Sequence, residues 1–265
     1  MSENSKFDKK VCSYEEFIEE SIIKIEKSKE IKEPCFVLRP PLFRGQSNSD
    51  WSLSTTLERK ILREIRLSKY YSLIYSIVNK VNMLSNYKRK WDLPHPSIKD
   101  KEILVNKEVF EYMVYLRHHG FLSPLLDWTM SPYIASYFAF KEDVPCDNVA
   151  IFMYNESVEV ADIKDTEIIS PGDNIETHER HFFQQTNFTY CKEEIKDELF
   201  FRSHEKVCAT EEEGNKDVLV KYIIPKSERI KVLQKLKLMN ITEYTLFHTE
   251  DAFIKTLAFD SFDLK

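Results

Sequence analysis

The sequence predicts one mixed α+β domain, helical in its first part and richer in strands in its second half. Three observations carry this reading. Helical periodicity dominates residues 13–118, short apolar runs of strand length appear near 36–44 and again beyond 149, and no internal repeat or low-complexity linker divides the chain. With 265 residues there is enough chain to bury a sizeable core. The predicted organisation is an N-terminal helix within residues 1–35, then a main domain over 36–265 with a helical insertion at about 55–118.

Ser13-x-x-Glu16 is a capping box, and Tyr14, Phe17, Ile18, Ile22 and Ile25 follow at helical spacing, so a helix covers 13–28. Pro34 ends the connection and Phe36-Val37-Leu38 reads as a short strand. Pro40-Pro41 forces an extended turn into Leu42-Phe43-Arg44, and Ser47-Asn48-Ser49-Asp50 is loop chemistry. A second capping box, Thr55-x-x-Glu58, starts a helix through about Arg66, and another helical pattern runs from Tyr70 to Leu84. Two prolines make Trp91 to Ser97 a loop. Lys101 to His118 is helical again, with Val105, Val109, Tyr112, Met113 and Leu116 on one side and Gly120 at the C-cap position.

Ser131-Pro132, a cap followed by a first-turn proline, opens an apolar helix from Tyr133 to Phe140. Val149 to Met153 reads as a strand buried on both faces, and Val158-Glu159-Val160 as a further short one. The stretch from Glu193 to Phe201 is ambiguous, and Glu211 to Asn215 is an acidic turn. Val218 to Ile224 is a strand, Ser227 to Met239 a helix ended by Asn240, Thr245-Leu246-Phe247 an extended piece, and Ala252 to Phe259 the last helix.

Composition narrows the function classes. The net charge of −6 argues against a protein that coats nucleic acid, which should be basic. Cations do cluster between Arg59 and Lys90, where solvated helix faces and a local basic patch are the two readings. Five scattered cysteines, odd in number and without a Cys-x-x-Cys pair, fit a reducing cytoplasm and argue against structural zinc. No apolar window of about 18 residues predicts a membrane span. The polar start MSENSKFDKK lacks the apolar core of a signal peptide. The expectation is a cytoplasmic protein with no membrane partner and no metal.

Two stretches concentrate chemistry. The first is Arg44-Gly45-Gln46 followed by Trp51. Glycine lets a backbone turn sharply or approach a ligand closely, the chain has only four glycines, and a fixed guanidinium beside one suits a phosphate or pyrophosphate. The second runs from Arg117 to Pro132. Asp127 sits between Leu126 and Trp128 and needs a partner if buried, either backbone amides or Arg44. Trp128 is a core residue or a stacking surface for a nicotinamide or adenine ring. Ser131 is a helix cap, and the N-terminus it caps could face an anion. His118 and His119 end a helix, where charge placement alone accounts for them, while His119 could also act as a base or ribose ligand. Gln184-Gln185 is either a ligand contact or exposed surface. No phosphate-binding glycine loop and no Gly-x-Ser-x-Gly elbow is present.

Taken together, Phe43-Arg44-Gly45-Gln46 with Trp51, His118 to Gly120, Leu125 to Pro132 and Tyr137 to Ala139 resemble the FRG domain family, named for its Phe-Arg-Gly motif. Arg180 to Phe188 and Ile241 to Phe247 resemble two later segments of that family, so the likeness covers the chain from about residue 36. Two departures stand out. Leu122-Ser123-Pro124 replaces the usual Pro-Thr-Arg, which removes a cation expected beside the Asp-Trp corner. Thr186 replaces a glycine after the glutamines, and a β-branched residue resists a positive φ.

The FRG family resembles the ADP-ribosyltransferases more remotely, which implies an ADP-ribosyltransferase-like core and NAD as substrate. By that likeness Arg44, with Gly45 and Gln46, would hold the diphosphate or ribose, and Asp127, Trp128 and Ser131 would shape a nicotinamide pocket. Gln184-Gln185 would occupy the region of the catalytic acid, with His119 and Gln185 as the candidate catalytic residues. Glu176, Glu179 and Glu193 lie nearby, and none matches the motif of that acid. Two functions follow as expectations. One is an NAD-dependent transferase that moves ADP-ribose onto a protein or nucleic acid, as a toxin or anti-phage defence effector. The other is a non-catalytic module that binds a nucleotide or a nucleic-acid end.

Overall fold

Apolar side chains on both faces of two long strands, Asn148–Asn155 and Val218–Pro225, build the centre of the molecule. Their neighbours complete an eight-stranded sheet in this computed structural model, which describes residues 7–30, 40–61, 64–84, 90–156, 166–170, 179–208 and 217–262. The strands are β1 (Asp8–Val11), β2 (Leu42–Gln46), β3 (Leu126–Thr129), β4 (Asn148–Asn155), β5 (Thr166–Ile169), β6 (Thr186–Ile195), β7 (Glu198–Arg202) and β8 (Val218–Pro225). They lie in the order β1-β8-β4-β2-β3-β6-β5, with β7 also on β6. Among the described residues β1 and β8 run parallel and the other pairs are antiparallel. The helices are α1 (Tyr14–Glu30), α2 (Thr56–Lys60), α3 (Leu67–Leu84), α4 (Asp100–Val105), α5 (Lys107–His118), α6 (Pro132–Phe140), α7 (Arg180–Phe183), α8 (His204–Val207), α9 (Arg229–Leu238), α10 (Glu243–Phe247) and α11 (Glu250–Phe262). The fold is a single α+β domain, as the sequence predicts.

Period-two alternation sorts the core. Val149, Ile151 and Met153 of β4, with Phe43 of β2 and Val220, Tyr222 and Ile224 of β8, pack under α1, α6, α9 and α10. Ala150, Phe152 and Tyr154 face the other way, with Leu42, Leu53, Leu126 and Trp128. A third cluster fills the bundle of α3, α4 and α5 and reaches Phe188 and Tyr190 on β6. Among the described residues, helices α2 to α5 lie between β2 and β3 in the chain.

Several boundaries differ from the sequence reading, each for a local reason. The helix after Thr55 ends at Lys60 rather than about Arg66, because the backbone of 65–66 is engaged by β7: Phe201 N donates to Ile65 O, and Arg66 bridges Phe200. The helix over 101–118 is two helices, broken at Asn106, whose Oδ1 caps the second through Val109 N at 3.0 Å. Thr245-Leu246-Phe247 is helical, not extended, because Thr242 caps it by accepting from Thr245 N. The ambiguous stretch is a hairpin: β6 turns through Lys196 and Asp197, both with positive φ (51° and 64°), into β7. Strand β1 has no alternating pattern strong enough to predict it. The proposed strands at 36–38 and 158–160 and the acidic turn at 211–215 lie outside the described residues.

Four cysteines, Cys12, Cys146, Cys191 and Cys208, carry free thiols. No helix among the described residues is long and apolar enough to cross a membrane.

Candidate functional site

Strand β2 presents Arg44 on one face and Gly45 on the other. Gly45 faces α6. A Cβ there would lie 2.0 Å from Ala135 O and 2.5 Å from Ala139 N, so the glycine exists to let a helix backbone close onto the strand. Its φ is not in the left-handed region. The sequence reading gave this glycine a sharp turn or a close approach to a ligand; the close approach in the structure is to α6.

Arg44 emerges opposite α6, where β3 delivers Asp127. Arg44 Nη1 donates to Asp127 Oδ1 at 2.5 Å and to Asp127 O at 2.7 Å. Arg117 Nη2, from the last turn of α5, donates to the same Oδ1. Arg117, five residues before Leu122-Ser123-Pro124, is thus a second cation on Asp127. Burial by itself would raise the Asp127 pKa, but the Arg117 and Arg44 guanidiniums outweigh it and hold the carboxyl well below the usual carboxylate range. Both arginines use Oδ1. Oδ2 accepts no hydrogen bond among the described residues, and the side chain is 46% exposed. Arg44 Nε and Arg117 Nη1 are buried without a partner among the described residues.

Arg44 and Asp127 line a cleft of about 210 Å³ together with Gln46, Trp51, Arg59 and Gln184, with Gly45 and Trp128 also on its walls. Trp51 is 48% exposed although its loop is held tightly. Trp51 N donates to Asn48 O, Asp50 N to Asn48 Oδ1 and Ser49 N to Asn148 O. Lys221 Nζ donates to Trp51 O at 3.2 Å and Gln46 Nε2 to Ser52 O at 3.3 Å. An indole left open by a pinned loop is a preorganised apolar face. Trp128, by contrast, is core. Its Nε1 donates to Thr189 Oγ1 at 2.7 Å, and Thr189 Oγ1 meets His204 Nε2 at 2.8 Å. Burial, with Arg44 nearby, pushes His204 down to about 3, so this imidazole is neutral.

The remaining candidates lie around the cleft. Ser131 caps α6 by accepting from Ile134 N at 3.3 Å and is not among the lining residues. Gln184 lines the cleft and donates through Nε2 to Leu246 O at 3.0 Å. Gln185 is exposed, with φ 47°, and its carbonyl accepts from Met130 N. The left-handed residue of this turn is thus Gln185, and Thr186 beside it begins β6. His119 is exposed at the C-cap of α5, its ring 4.4 Å from that of Tyr115, and it does not line the cleft. His118 instead meets His181, Nε2 to Nε2 at 2.6 Å.

The sequence reading named Arg59 only within the cation cluster and Arg117 only as the start of the second stretch, and gave neither a role in the site. Arg117 directly precedes the His-His pair, and Arg59 lies four residues beyond the Thr55 cap, so each sits beside a recognised motif. Among the described residues no group of three or more His, Cys, Asp or Glu is placed to hold a metal ion.

Residues 39–148 match the model of the FRG domain. No curated protein and no solved structure matches the chain. Arg44, Trp51, Arg59, Arg117 and Asp127 all fall inside the matched residues.

Proposed function

We propose that this cleft binds a nucleotide and that the chain is an NAD-dependent ADP-ribosyltransferase-like protein acting on a macromolecule. The single observation that supports it is the meeting of Arg44, Asp127 and the exposed Trp51 in one cleft. A guanidinium suits a phosphate, an indole face suits a base, and an ionised carboxylate with a free oxygen suits ribose hydroxyls. The cleft is smaller than the roughly 300–1,000 Å³ of common ligand pockets, so it fits about one nucleotide half, with the other half lying toward solvent. In the transfer step the bond between nicotinamide nitrogen and ribose C1′ breaks, and nicotinamide leaves with the electron pair. An acceptor nucleophile then bonds to C1′ and loses its proton. Positioning would supply most of the rate.

A second reading, nucleotide binding without turnover, is favoured by one feature. Asp127, the one carboxylate among the described residues that line the cleft, is shared by two arginines, and the position near the expected acid is the amide Gln184. Labelled NAD separates the two. Release of nicotinamide or transfer of label, lost in Arg44→Ala, supports the enzyme. Saturable binding with no product supports the module. Absence of any NAD or ADP-ribose binding removes both. A role as toxin or defence effector is a further part of the first reading, tested by whether expression arrests growth in the wild type and not in Arg44→Ala.

A further inference from the structure

Arg59 stands on α2, a five-residue helix that cannot retreat from the cleft. Thr55 and Glu58 form a reciprocal capping box, Leu57 N donates to Ser123 O, and Thr56 Oγ1 exchanges hydrogen bonds with the backbone of Ser123. From this anchored turn the Arg59 side chain enters the lining of the cleft together with Arg44. It donates once, to Ser54 O at 3.2 Å, and forms no ion pair among the described residues. Its charged surroundings are the cations Arg44 and Arg117 and the carboxylates Asp127 and Glu58. Partial burial, then the fields of Arg44 and Arg117, push its pKa down, and Asp127 and Glu58 partly offset them. Asp127 is already shared by those two guanidiniums, and Glu58 is turned to Thr55 N at 2.7 Å. A guanidinium held beside two others with no carboxylate of its own is unfavourable until an anion arrives.

We infer that Arg59 is a second anion-binding guanidinium, acting with Arg44, and that the ligand presents two negative charges to the pair: a diphosphate rather than a single phosphate. The inference rests on the nucleotide reading and adds to it a second residue that binds the diphosphate. A diphosphate diester offers adjacent anionic groups, one for each guanidinium, whereas a neutral nucleoside offers none.

The test is calorimetric titration of the full chain with ADP-ribose and with adenosine, in wild type, Arg44→Gln, Arg59→Gln and Arg59→Lys. Arg59→Gln should weaken ADP-ribose about 10- to 100-fold, the usual range for losing a hydrogen bond to a charged group, and leave adenosine unchanged. Arg59→Lys should recover part of the loss, because it keeps the charge and loses the fork. Unchanged thermal unfolding of Arg59→Gln checks that the fold is intact, as expected for an exposed side chain. If Arg44→Gln weakens ADP-ribose and Arg59→Gln does not, the Arg59 inference is overturned and the nucleotide reading stands. If wild type binds neither compound, both fall.

Discussion

The side chain that Gly45 lacks would collide with Ala135: a Cβ at that position lies 2.0 Å from the Ala135 carbonyl oxygen, inside any allowed contact. Two backbones, strand β2 and helix α6, meet there with nothing between them. The same glycine therefore seats α6 and sets where the neighbouring Arg44 leaves the strand.

Gly45→Ala should destabilise the chain by about 3 kcal/mol, because overpacking is costly and here the obstructing atoms are backbone. The urea midpoint reports it. A loss under about 0.5 kcal/mol would mean that α6 can shift freely, and the cleft geometry would need revision.

Asp127→Asn should cost about 2 kcal/mol at neutral pH. Breaking a buried pair costs more, roughly 3–5 kcal/mol, but this carboxylate is half exposed and solvent screens it. The sign with pH follows from a depressed folded-state pKa. The stabilisation is fully present above the unfolded carboxyl value, near pH 4, and fades as pH falls further. Stability curves of wild type and Asp127→Asn should therefore converge below about pH 4. Parallel curves down to pH 2 would count against the arginine-carboxylate cluster.

Burial holds His204 at about 3 in the folded chain, whereas the unfolded chain protonates it near pH 6.5. The unfolded state then binds the extra proton between those values, so this group removes stability as pH falls from about 6.5 toward 3, by up to about 1.4 kcal/mol per unit. His204→Gln should flatten that slope. An unchanged slope in chemical denaturation across pH 6.5 to 4 would show that the imidazole is protonated in the native state.

Trp51→Ala should leave stability within about 1 kcal/mol, since nearly half of the side chain is already in water and the loop is pinned through its backbone. Nucleotide affinity should fall by about 1–3 kcal/mol, the range measured for base stacking on an aromatic ring. Quenching of Trp51 fluorescence by ADP-ribose, absent in the variant, is the direct readout. Equal affinity in both proteins would place the base elsewhere.

What could be read without coordinates was local. The capping boxes at Ser13 and Thr55, the Ser131 cap with Pro132, the Gly120 C-cap and the apolar strands 149–153 and 218–224 all stand where the sequence places them, because their determining contacts lie within a few residues. The pairing of Arg44 with Asp127 was open as an alternative, since each is charged in an apolar setting. Two things needed the tertiary structure. Arg117 joins Asp127 only because α5 ends beside β3. Trp51 is exposed and Trp128 buried only because β3 faces Thr189 and a loop is tied by Lys221. The 245–247 segment, whose Thr242 cap is local and was missed, is also tied to α11 by Tyr244 N donating to Thr256 Oγ1. Short-range hydrogen bonds and side-chain periodicity are written in consecutive residues. Which distant charges share an oxygen, and which indole meets water, depends on how the strands are ordered, and no window of sequence contains that.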